Sequence, residues 1–557
     1  MKVGMTFYSS NAFHPIPLDS LKYVAKSMTD AITSRHELVF MPPEHTYAAD
    51  ADVVRMTEEF VRSCDVIVGC PTGRFAAVRQ RIGSNVPMVG FLLGVLPRGG
   101  WGLDTQVRHM TTNDVLLANC TADLELAGKF LSNAQTRLLP FAVDDRVFYP
   151  VDEAERKAIR EKLGLREEDR VLVYVGRVTL QKNLHTLLKV FSAVQTLVPD
   201  ACLVIVGPML DQGSLEFGVT PLNLGNTVRK LIAKLRIPEG RVHLVNQAGP
   251  ALVRELYNVA DVKVNMTLHH DENFGLTQVE AMACGTPVVG TAWGGLKDTI
   301  LDGVSGYKVT TASTRSGVKV NWWEAVNRIV ALLRDPEARE RFRESCVRYA
   351  TERYSQARYE ATLLEILDES VAGREKPAEP LRATSFAEDV WTTCNPFGAD
   401  TPPFLRGPRS YELYQELMAP VTEATREHVP ADEAPAPGHV LSLASPIVGD
   451  PESGFRIDDP MYPFDLDVPE EYRDAFGAVL PVLREAPAIT VERLGRAVPA
   501  GVPNLPEALG WMLSAGLLLR SQPVDGWVAP EEIDSRLSEP LFRIERLDRM
   551  NTDFIMY

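Results

Sequence analysis

The first 370 residues of the chain alternate between short apolar runs and amphipathic patterns of helical period. Parallel strands joined by crossover helices produce this alternation, because a strand that is buried on both faces reads as a continuous apolar run. The pattern predicts two consecutive α/β units. The predicted strands are KVGMTFY, ELVFMP, DVIVGC, PMVGFLL and DVLLANC in the first unit, and VLVYVG, ACLVIVG, RVHLV, DVKVNMT and PVVGT in the second.

Changes in composition divide the chain into four segments. Residues 1–145 and 146–370 are predicted to be two Rossmann-like, doubly wound units that face each other across a cleft. Residues 371–455 are rich in Pro, Ala and charge and are interpreted as a linker or extended crossing. Residues 456–557 show three helical patterns and then the apolar segment LLLRSQPVDGWVAP, which is interpreted as a hairpin. This order is that of a small, α-rich, winged-helix-like domain.

Length and composition favour a cytoplasmic protein of several domains that does not bind nucleic acid. A chain of 557 residues exceeds the size of one core, and its net charge of −16 argues against nonspecific binding of nucleic acid, which depends on cations. The helix LPEALGWMLSAG of the last segment has no Lys or Arg, so a protein or peptide docking module or a structural cover is favoured over a nucleic-acid reader. The seven cysteines contain no CxxC pair, which favours reduced thiols and a cytoplasmic protein.

The sequence indicates neither a signal peptide nor a membrane-spanning helix. The N-terminal MKVGMTFYSS is typical of a first strand rather than of a signal peptide. No apolar run approaches the length of about 18–20 residues that a membrane-spanning helix requires. We therefore expect no membrane span.

Two basic residues follow the first strand of the second unit. Arg177 and Lys182 come after VLVYVG and before a helix, so they are expected at the carboxyl edge of the sheet, where open α/β sheets bind ligands. Cations beside a helix N-terminus form a site for pyrophosphate. The alternative interpretation is that both are solvated loop charges.

The segment ENFGLTQVEAMAC follows the strand DVKVNMT and supports an anion site at the same edge. The N–H groups of Phe274, Gly275 and Leu276 are expected to point from a helix N-terminus into the cleft, where negative charge is favoured. Glu280 lies about 6 Å further along the helix axis and is suited to accept hydrogen bonds from a ribose diol. Glu272 is suited to sugar hydroxyls. A hydrolytic acid/base pair is the alternative, but both carboxylates would approach the ligand from one side.

Two longer stretches resemble a known family. GRVTLQKNLHTLLKVF and ENFGLTQVEAMACGTPVVGTAWGGLKDTILDGVSGYKV are similar to the donor-binding half of the retaining nucleotide-sugar glycosyltransferases of the GT-B fold, family 4, also called glycosyl transferases group 1. Glu272 and Glu280 match the E-x7-E signature of the family, and Arg177 and Lys182 match its diphosphate clamp. The resemblance covers roughly residues 110–370.

The resemblance implies an enzyme that moves a sugar from a nucleoside diphospho-sugar with retention of configuration and without a metal or other cofactor. It implies roles at the reacting centre for Glu272, Arg177 and Lys182. It implies donor contacts from Glu280, Asn273, Phe274, Gly275, Leu276, Val245, Asn246, Gly294 and Gly295.

The acceptor side departs from the family pattern. The family often has a His near the donor sugar, but the matching region PMVGFLLGVLPRGGWGL has none. The remaining candidates on the acceptor side are Ser10, Asn11, His14 and His109. The acceptor, whether a small molecule, a glycan or a peptide, is not identified by the sequence.

Two other functions stay open at this point. One is another GT-B-like enzyme, either a phosphorylase or a sugar-nucleotide hydrolase. The other is a catalytically weak or inactive scaffold that binds nucleotide-sugar and recruits a protein or peptide through its C-terminal module.

Two patterns that resemble metal sites have simpler interpretations. Asp50 and Asp52 form a D-x-D just before a helical pattern, where Asp is a natural N-cap. His269 and His270 precede Glu272, but adjacent residues of an extended chain point to opposite sides. We therefore expect no metal site at either position.

Overall fold

The computed structural model describes residues 1–6, 19–42, 50–69, 73–92, 96, 103, 108–209, 224–268, 272–393, 408–422, 435–459, 464–533 and 535–538. Within these ranges the two predicted α/β units are present, each built on a parallel six-stranded sheet. All structural statements below refer to these residues.

The first unit has the sheet order β2-β1-β3-β4-β5-β6, and every pair of neighbours is parallel. Alternate residues of β1 and β3 pack against helices on the two faces, which is why residues 3–5 of β1 and all of β3 are apolar. The strands are β1 (Lys2–Met5), β2 (Glu37–Phe40), β3 (Val66–Gly69), β4 (Met88–Phe91), β5 (Val115–Ala118) and β6 (Gln135–Leu138), and the helices are α1 (Asp19–Thr33), α2 (Asp50–Arg62), α3 (Gly73–Arg81) and α4 (Thr121–Phe130).

The second unit has the order β12-β11-β10-β7-β8-β9, also parallel throughout. From β7 the chain first runs outward through β8 and β9, and then continues on the other side of β7 through β10, β11 and β12. The strand order therefore reverses between β7 and β10, and ligands bind in such sheets at the carboxyl ends of the two strands that flank this switch point. The strands are β7 (Arg170–Val175), β8 (Ala201–Val206), β9 (Val242–Val245), β10 (Val262–Asn265), β11 (Val288–Thr291) and β12 (Gly306–Val309).

The helices of the second unit cover both faces of its sheet. A hairpin of β13 (Thr311–Thr314) and β14 (Gly317–Val320) follows β12 and is antiparallel. The helices are α5 (Glu153–Lys162), α6 (Leu184–Leu197), α7 (Leu224–Lys234), α8 (Pro250–Val259), α9 (Leu276–Ala283), α10 (Leu296–Thr299), α11 (Trp322–Arg334) and α12 (Pro336–Tyr354).

The predicted boundary at residue 370 differs from the structure. Helix α13 (Gln356–Gly373) lies against α1 of the first unit, where Gln356 donates to the Ser27 carbonyl and Arg35 forms an ion pair with Asp368 at 3.1 Å. The chain therefore returns to the first unit before it leaves the α/β region.

Residues 371–455 contain more structure than the predicted linker. Helices α14 (Ser385–Thr393) and α15 (Pro408–Met418) lie within it. The aromatic ring of Phe386 packs on Phe130 of the first unit with centroids 5.6 Å apart. Proline-rich composition concealed these helices, whose apolar residues, such as Val390 and Leu413, join the hydrophobic cluster shared with the other units.

The third unit begins earlier than predicted, because β15 (Val440–Leu443) is the central strand of the order β19-β15-β20. The predicted C-terminal hairpin is wrong. β20 (Leu518–Ser521) pairs with β15 rather than with the residues that follow it. The remaining elements are β16 (Ile447–Asp450), β17 (Gly454–Ile457), β18 (Phe464–Leu466), β19 (Ala488–Thr490), α16 (Arg473–Glu485), α17 (Val491–Ala497) and α18 (Leu505–Ser514).

The cores of the three units are joined. One hydrophobic cluster runs from Phe130 in the first unit through Trp322 in the second to Val440 in the third, while the third unit has a further core of its own around Phe476 and Met512. The five described cysteines are buried free thiols. None of the described helices combines the length and the apolarity that crossing a membrane requires.

Candidate functional site

The cationic residues predicted from the sequence lie at the carboxyl edge of the second sheet. Arg177 follows β7, and Lys182 ends a 3-10 turn that leads into α6. Glu272 follows β10, which pairs directly with β7. The Lys182 ammonium forms an ion pair with the Glu272 carboxylate, and these side chains are only 15% and 13% exposed. The structure therefore brings the basic loop and the acidic loop into direct contact.

The N-terminus of α9 presents unused hydrogen-bond donors beside this ion pair. Gly275 has φ 85°, a left-handed conformation that favours glycine, and it turns the chain into the helix. Within the described residues, the N–H groups of Phe274, Gly275 and Leu276 donate to no acceptor. These donors and the helix dipole both favour an anion at this position.

Gly294 and Gly295, which the resemblance places near the ligand, use their N–H groups within the protein. Their N–H groups donate to the carbonyls of Val421 and Glu272, each at 2.8 Å. A Cβ atom on Gly295 would lie 2.4 Å from the backbone of Asn273, and one on Gly294 would lie 2.5 Å from the Glu272 carbonyl oxygen. The two glycines therefore support the loop that carries Glu272 rather than offering N–H groups to a ligand.

Glu280 lies in the second turn of α9 and has an unusual environment. The Tyr257 hydroxyl, from α8, donates to its carboxylate at 3.4 Å. Burial raises the pKa of Glu280 to about 7, while the Tyr257 hydrogen bond and the charge of Lys263 oppose this rise. A carboxylate with so few partners is suited to accept hydrogen bonds from ligand hydroxyls.

Lys263 places a buried amine behind the site. It lies in the central strand β10 with no exposed surface, and its Nζ is 5.7 Å from the centroid of the Tyr174 ring. Burial lowers the pKa of Lys263 to about 7, and the carboxylates of Glu272 and Glu280 oppose this fall. The amine thus lies in the field of both glutamates.

The first unit closes one side of the site. The Asn273 amide donates to the Asn119 side-chain oxygen at 3.0 Å, and Asn119 follows the carboxyl end of β5. The Phe274 ring is 2% exposed and packs edge-on against Phe141, with centroids 5.4 Å apart. The Phe274 side chain is therefore part of the junction between units, and only its backbone faces the site.

A second contact between the units lies next to this one. The carboxylate of Asp298 in α10 accepts from the Thr121 N–H at 2.6 Å and from the Thr121 hydroxyl at 2.7 Å. Thr121 is the first residue of α4, so Asp298 satisfies a helix N-terminus of the opposite unit.

Val245 and Asn246 lie at the end of β9, the edge strand of the same sheet. Because β9 is two strands from β7, this position is roughly 10 Å from the Arg177 loop. Asn246 is exposed, and Val245 is partly buried. A ligand that extends from the cations toward these residues would need to be longer than a diphosphate.

The structure does not bring His109 to the site. Its ring hydrogen-bonds Gln80 at 2.8 Å, and its carbonyl contacts Arg79, which forms a buried ion pair with Asp114 at the amino end of β5. This is the end of β5 opposite to Asn119. Ser10, Asn11 and His14 lie outside the described residues, as do His269 and His270. Helix α2 begins at Asp50, and the described residues contain no cluster suited to hold a metal ion.

Four residues of the site were missed by sequence reasoning. Lys263 could have been predicted from the sequence, since a lysine in an otherwise apolar central strand is uncommon. Asn119 stood directly after a predicted strand, at the edge where ligands bind. No sequence pattern indicated Tyr257 or Asp298, because their helices reach the site only through tertiary packing.

Fold and site together define a class of protein. Two parallel Rossmann-like sheets meet at their carboxyl edges, and the second carries cations, unused backbone donors and a partly buried carboxylate. Such a site is suited to a ligand that combines phosphate groups with hydroxyl groups.

Comparisons with known proteins support this classification. Residues 155–347 match the model of the family described as glycosyl transferases group 1. The chain is 40% identical over 164 residues to D-inositol 3-phosphate glycosyltransferase of Mycolicibacterium gilvum, a match that covers 29% of this chain and 33% of the relative. It is 27% identical over 236 residues to N-acetyl-alpha-D-glucosaminyl L-malate synthase of Bacillus anthracis, covering 42% and 54%.

A solved structure shares the fold. The Anabaena protein HepE, in complex with UDP, superposes with a TM-score of 0.50 at 18% identity and covers 66% of this chain and 99% of its own. The fold of the two α/β units is therefore GT-B, and the match to glycosyl transferases group 1 falls on the second unit, where the resemblance was seen. The chain spans between about a third and about half the length of the curated relatives it matches.

Proposed function

We propose that the protein is a glycosyltransferase that moves a sugar from a nucleoside diphospho-sugar to an acceptor, with retention of configuration and without a metal ion. The observation that carries the proposal is that the loop of Arg177 and Lys182 lies at the same edge of the second sheet as the unused N–H groups at the start of α9. The match of residues 155–347 to glycosyl transferases group 1 supports the same activity.

The diphosphate is proposed to displace Glu272 from Lys182. In the structure the Glu272 carboxylate is paired with the Lys182 ammonium. A diphosphate carries more charge than a carboxylate and also accepts from the N–H groups of Phe274 and Gly275. The released Glu272 is then placed to accept hydrogen bonds from the sugar hydroxyls.

The remaining groups of the site are proposed to bind the ribose and the base of the donor and to stabilise the leaving diphosphate. Glu280 is proposed to hold the ribose diol, and the end of β9 is proposed to line the base. Arg177 and Lys182 stabilise the negative charge that develops on the leaving diphosphate when the sugar is transferred. Lys182 exchanges Glu272 for the diphosphate when the donor binds, so both cations are in position before charge develops at the transition state.

The test is a set of substitutions with matched readouts. We expect Arg177→Ala and Lys182→Ala to lower kcat by about 10²–10³-fold, because each removes a preorganised contact to the leaving group. We expect Glu280→Ala to weaken donor binding instead, by about tenfold or more for the loss of charged hydrogen bonds. Binding of UDP, GDP, ADP and dTDP is measured first by thermal shift, since a ligand of the native state raises its stability.

The outcomes separate the open alternatives. Nucleotide binding without turnover of any sugar nucleotide would favour the scaffold. Release of free sugar at the same rate with or without acceptors would favour a hydrolase. Inversion at the anomeric carbon, detected by NMR of the product, would overturn retention, and loss of wild-type turnover in EDTA would overturn metal independence.

The acceptor is not assigned by the comparisons. The relatives are named for two different acceptors, inositol 3-phosphate and malate. The described acceptor side consists of Asn119 and its neighbours at the carboxyl edge of the first sheet. Phosphorylated polyols and hydroxy acids are therefore the first acceptor classes to assay.

A further inference from the structure

A small cavity lies where the second and third units meet, beside the start of α6. Its volume is about 40 Å³. This is enough for roughly three water molecules, or for the oxygen atoms of one small oxyanion. The polar residues that line it are Asn183, His185, Thr186, Lys189, Lys319, Ser445 and Asp459.

One of the two lysines is already paired by the third unit. The Lys319 ammonium lies 3.0 Å from the Asp459 carboxylate and donates to the Ser445 hydroxyl at 3.3 Å. The Ser445 hydroxyl in turn donates to Asp459 at 2.7 Å. The single carboxylate of the cavity is therefore occupied.

The other lysine lacks such a partner. Lys189 is 4% exposed, and its Nζ lies 4.9 Å from the centroid of the Trp322 ring. Its amine makes no hydrogen bond or ion pair with any described residue. Burial lowers the pKa of Lys189 to about 7, although Asp459 opposes this fall through space. The cavity thus holds more basic groups than acidic ones.

A second polar group in the cavity is also unsatisfied. Asn183 is 2% exposed, and its side-chain oxygen has no hydrogen-bond partner. A half-turn of the Asn183 amide exchanges its oxygen and its NH₂ group, so the NH₂ group can face the cavity instead. Burial lowers the pKa of His185 to about 4, so this ring is neutral at pH 7.

We propose that this cavity binds one small inorganic oxyanion of the phosphate class, held by Lys189, Lys319 and the Asn183 amide. Its volume favours a free oxyanion over the phosphate group of a larger molecule. Asn183 follows Lys182 directly in the chain, and Ser445 and Asp459 belong to the third unit. The bound oxyanion therefore links the edge of the proposed donor site to the third unit.

The experiment is a calorimetric titration of inorganic phosphate into the Arg177→Ala protein, in which the proposed diphosphate clamp is weakened. We expect one phosphate per chain. Lys189→Met in the same background keeps the length of the side chain, and we expect it to weaken phosphate binding by about tenfold or more. Asn183→Asp, which adds a carboxylate without adding volume, is expected to do the same.

Controls identify the source of any signal. Sodium chloride at matched ionic strength measures nonspecific screening, and UDP binding by Lys189→Met in the wild-type background checks that this variant is folded. Glycerol 3-phosphate is expected to bind more weakly than phosphate, because its carbon chain does not fit. Absence of phosphate binding in the Arg177→Ala protein, or equal binding in all three proteins, would overturn the proposal.

A pH series gives an independent readout. Sulfate keeps its charge between pH 6 and pH 8, and the groups that face it are Lys189, Lys319, His185 and Asp459. An anion favours the protonated Lys189 amine, so sulfate affinity is expected to fall as the pH rises above about 7. An affinity that stays constant from pH 6 to pH 8 would contradict a role for Lys189.

Discussion

At the scale of single residues, the proposed donor site is controlled by burial of charged groups. Glu272, Lys182, Glu280 and Lys263 lie within one small region, and all of them are partly or fully buried. Removing a charge from water is costly unless a partner compensates, so these groups respond strongly to any ligand that adds or removes charge.

Glu280 gives a prediction about pH and stability. Burial raises the pKa of Glu280 to about 7, above the value near 4.3 of an unfolded chain. Between these values the folded state keeps a proton that the unfolded state has released, so stability falls as the pH rises. Glu280→Gln does not titrate. We expect its Tm to match wild type near pH 4.5 and to exceed it by about 1–2 °C at pH 8.

The matched control is Glu344→Gln, which changes an exposed glutamate of α12. Its Tm is expected to follow wild type at both pH values. A difference between Glu280→Gln and wild type that is the same at pH 4.5 and pH 8 would show that Glu280 is not the titrating group. Differential scanning fluorimetry at several pH values measures both variants.

At the scale of elements, the position of the N-terminus of α9 depends on how the loop that carries Glu272 packs against the turn of Gly294 and Gly295. The loop that carries Glu272 is held by the backbone of Gly294 and Gly295, at the turn between β11 and α10. No side chain fits between them, because the backbone of Asn273 lies against Gly295. The N–H groups at the start of α9 are therefore positioned by a glycine turn whose own N–H groups are bonded within the protein.

Gly295→Ala tests this packing. Gly295 has φ −68°, which any residue can adopt, so the only cost is the added methyl group 2.4 Å from Asn273. Overpacking of this kind costs about 1–3 kcal/mol when the neighbours must move. We expect Gly295→Ala to weaken nucleotide binding by about tenfold, measured by calorimetry.

Gly249→Ala is the matched control for this substitution. Gly249 has φ −76° and no atom within 4 Å of a Cβ position. Its nucleotide affinity is expected to stay within about twofold of wild type. Wild-type affinity in Gly295→Ala would show that the loop behind α9 tolerates displacement.

At the scale of the whole molecule, the site is completed by contacts between units. Asp298 of the second unit binds Thr121 of the first, and Asn273 binds Asn119. Helix α13 returns to the first unit after the second is complete. The relative position of the two sheets is therefore fixed both by polar contacts beside the cleft and by a chain crossing.

Asp298→Ala tests the polar part of this junction. It removes two hydrogen bonds to one carboxylate, each of a charge-assisted type worth about 1.5–3 kcal/mol. We expect the cleft to open, with a larger radius of gyration in X-ray scattering and nucleotide binding weakened by about tenfold.

Thr121→Val removes only the hydroxyl and keeps the bond from the backbone N–H, so an intermediate effect is expected. Equal scattering and equal affinity in Asp298→Ala and wild type would show that the chain crossing alone sets the distance between the units.

The sequence determined the two α/β units and the positions of Arg177, Lys182, Glu272 and Glu280, because apolar periodicity and the residues at strand ends are local properties. It did not determine the hairpin register at the C-terminus, where β20 pairs with a strand far away in the sequence. Nor did it show that residues 371–455 contain packed helices.

Tertiary structure alone decided which groups meet. Asn119, Tyr257 and Asp298 reach the site from separate elements, and Gly294 and Gly295 support the loop that carries Glu272. His109 was separated from the site because it lies at the other end of β5. Hydrogen-bond partners and burial depend on how distant segments pack, and the order of residues along the chain does not specify that packing locally.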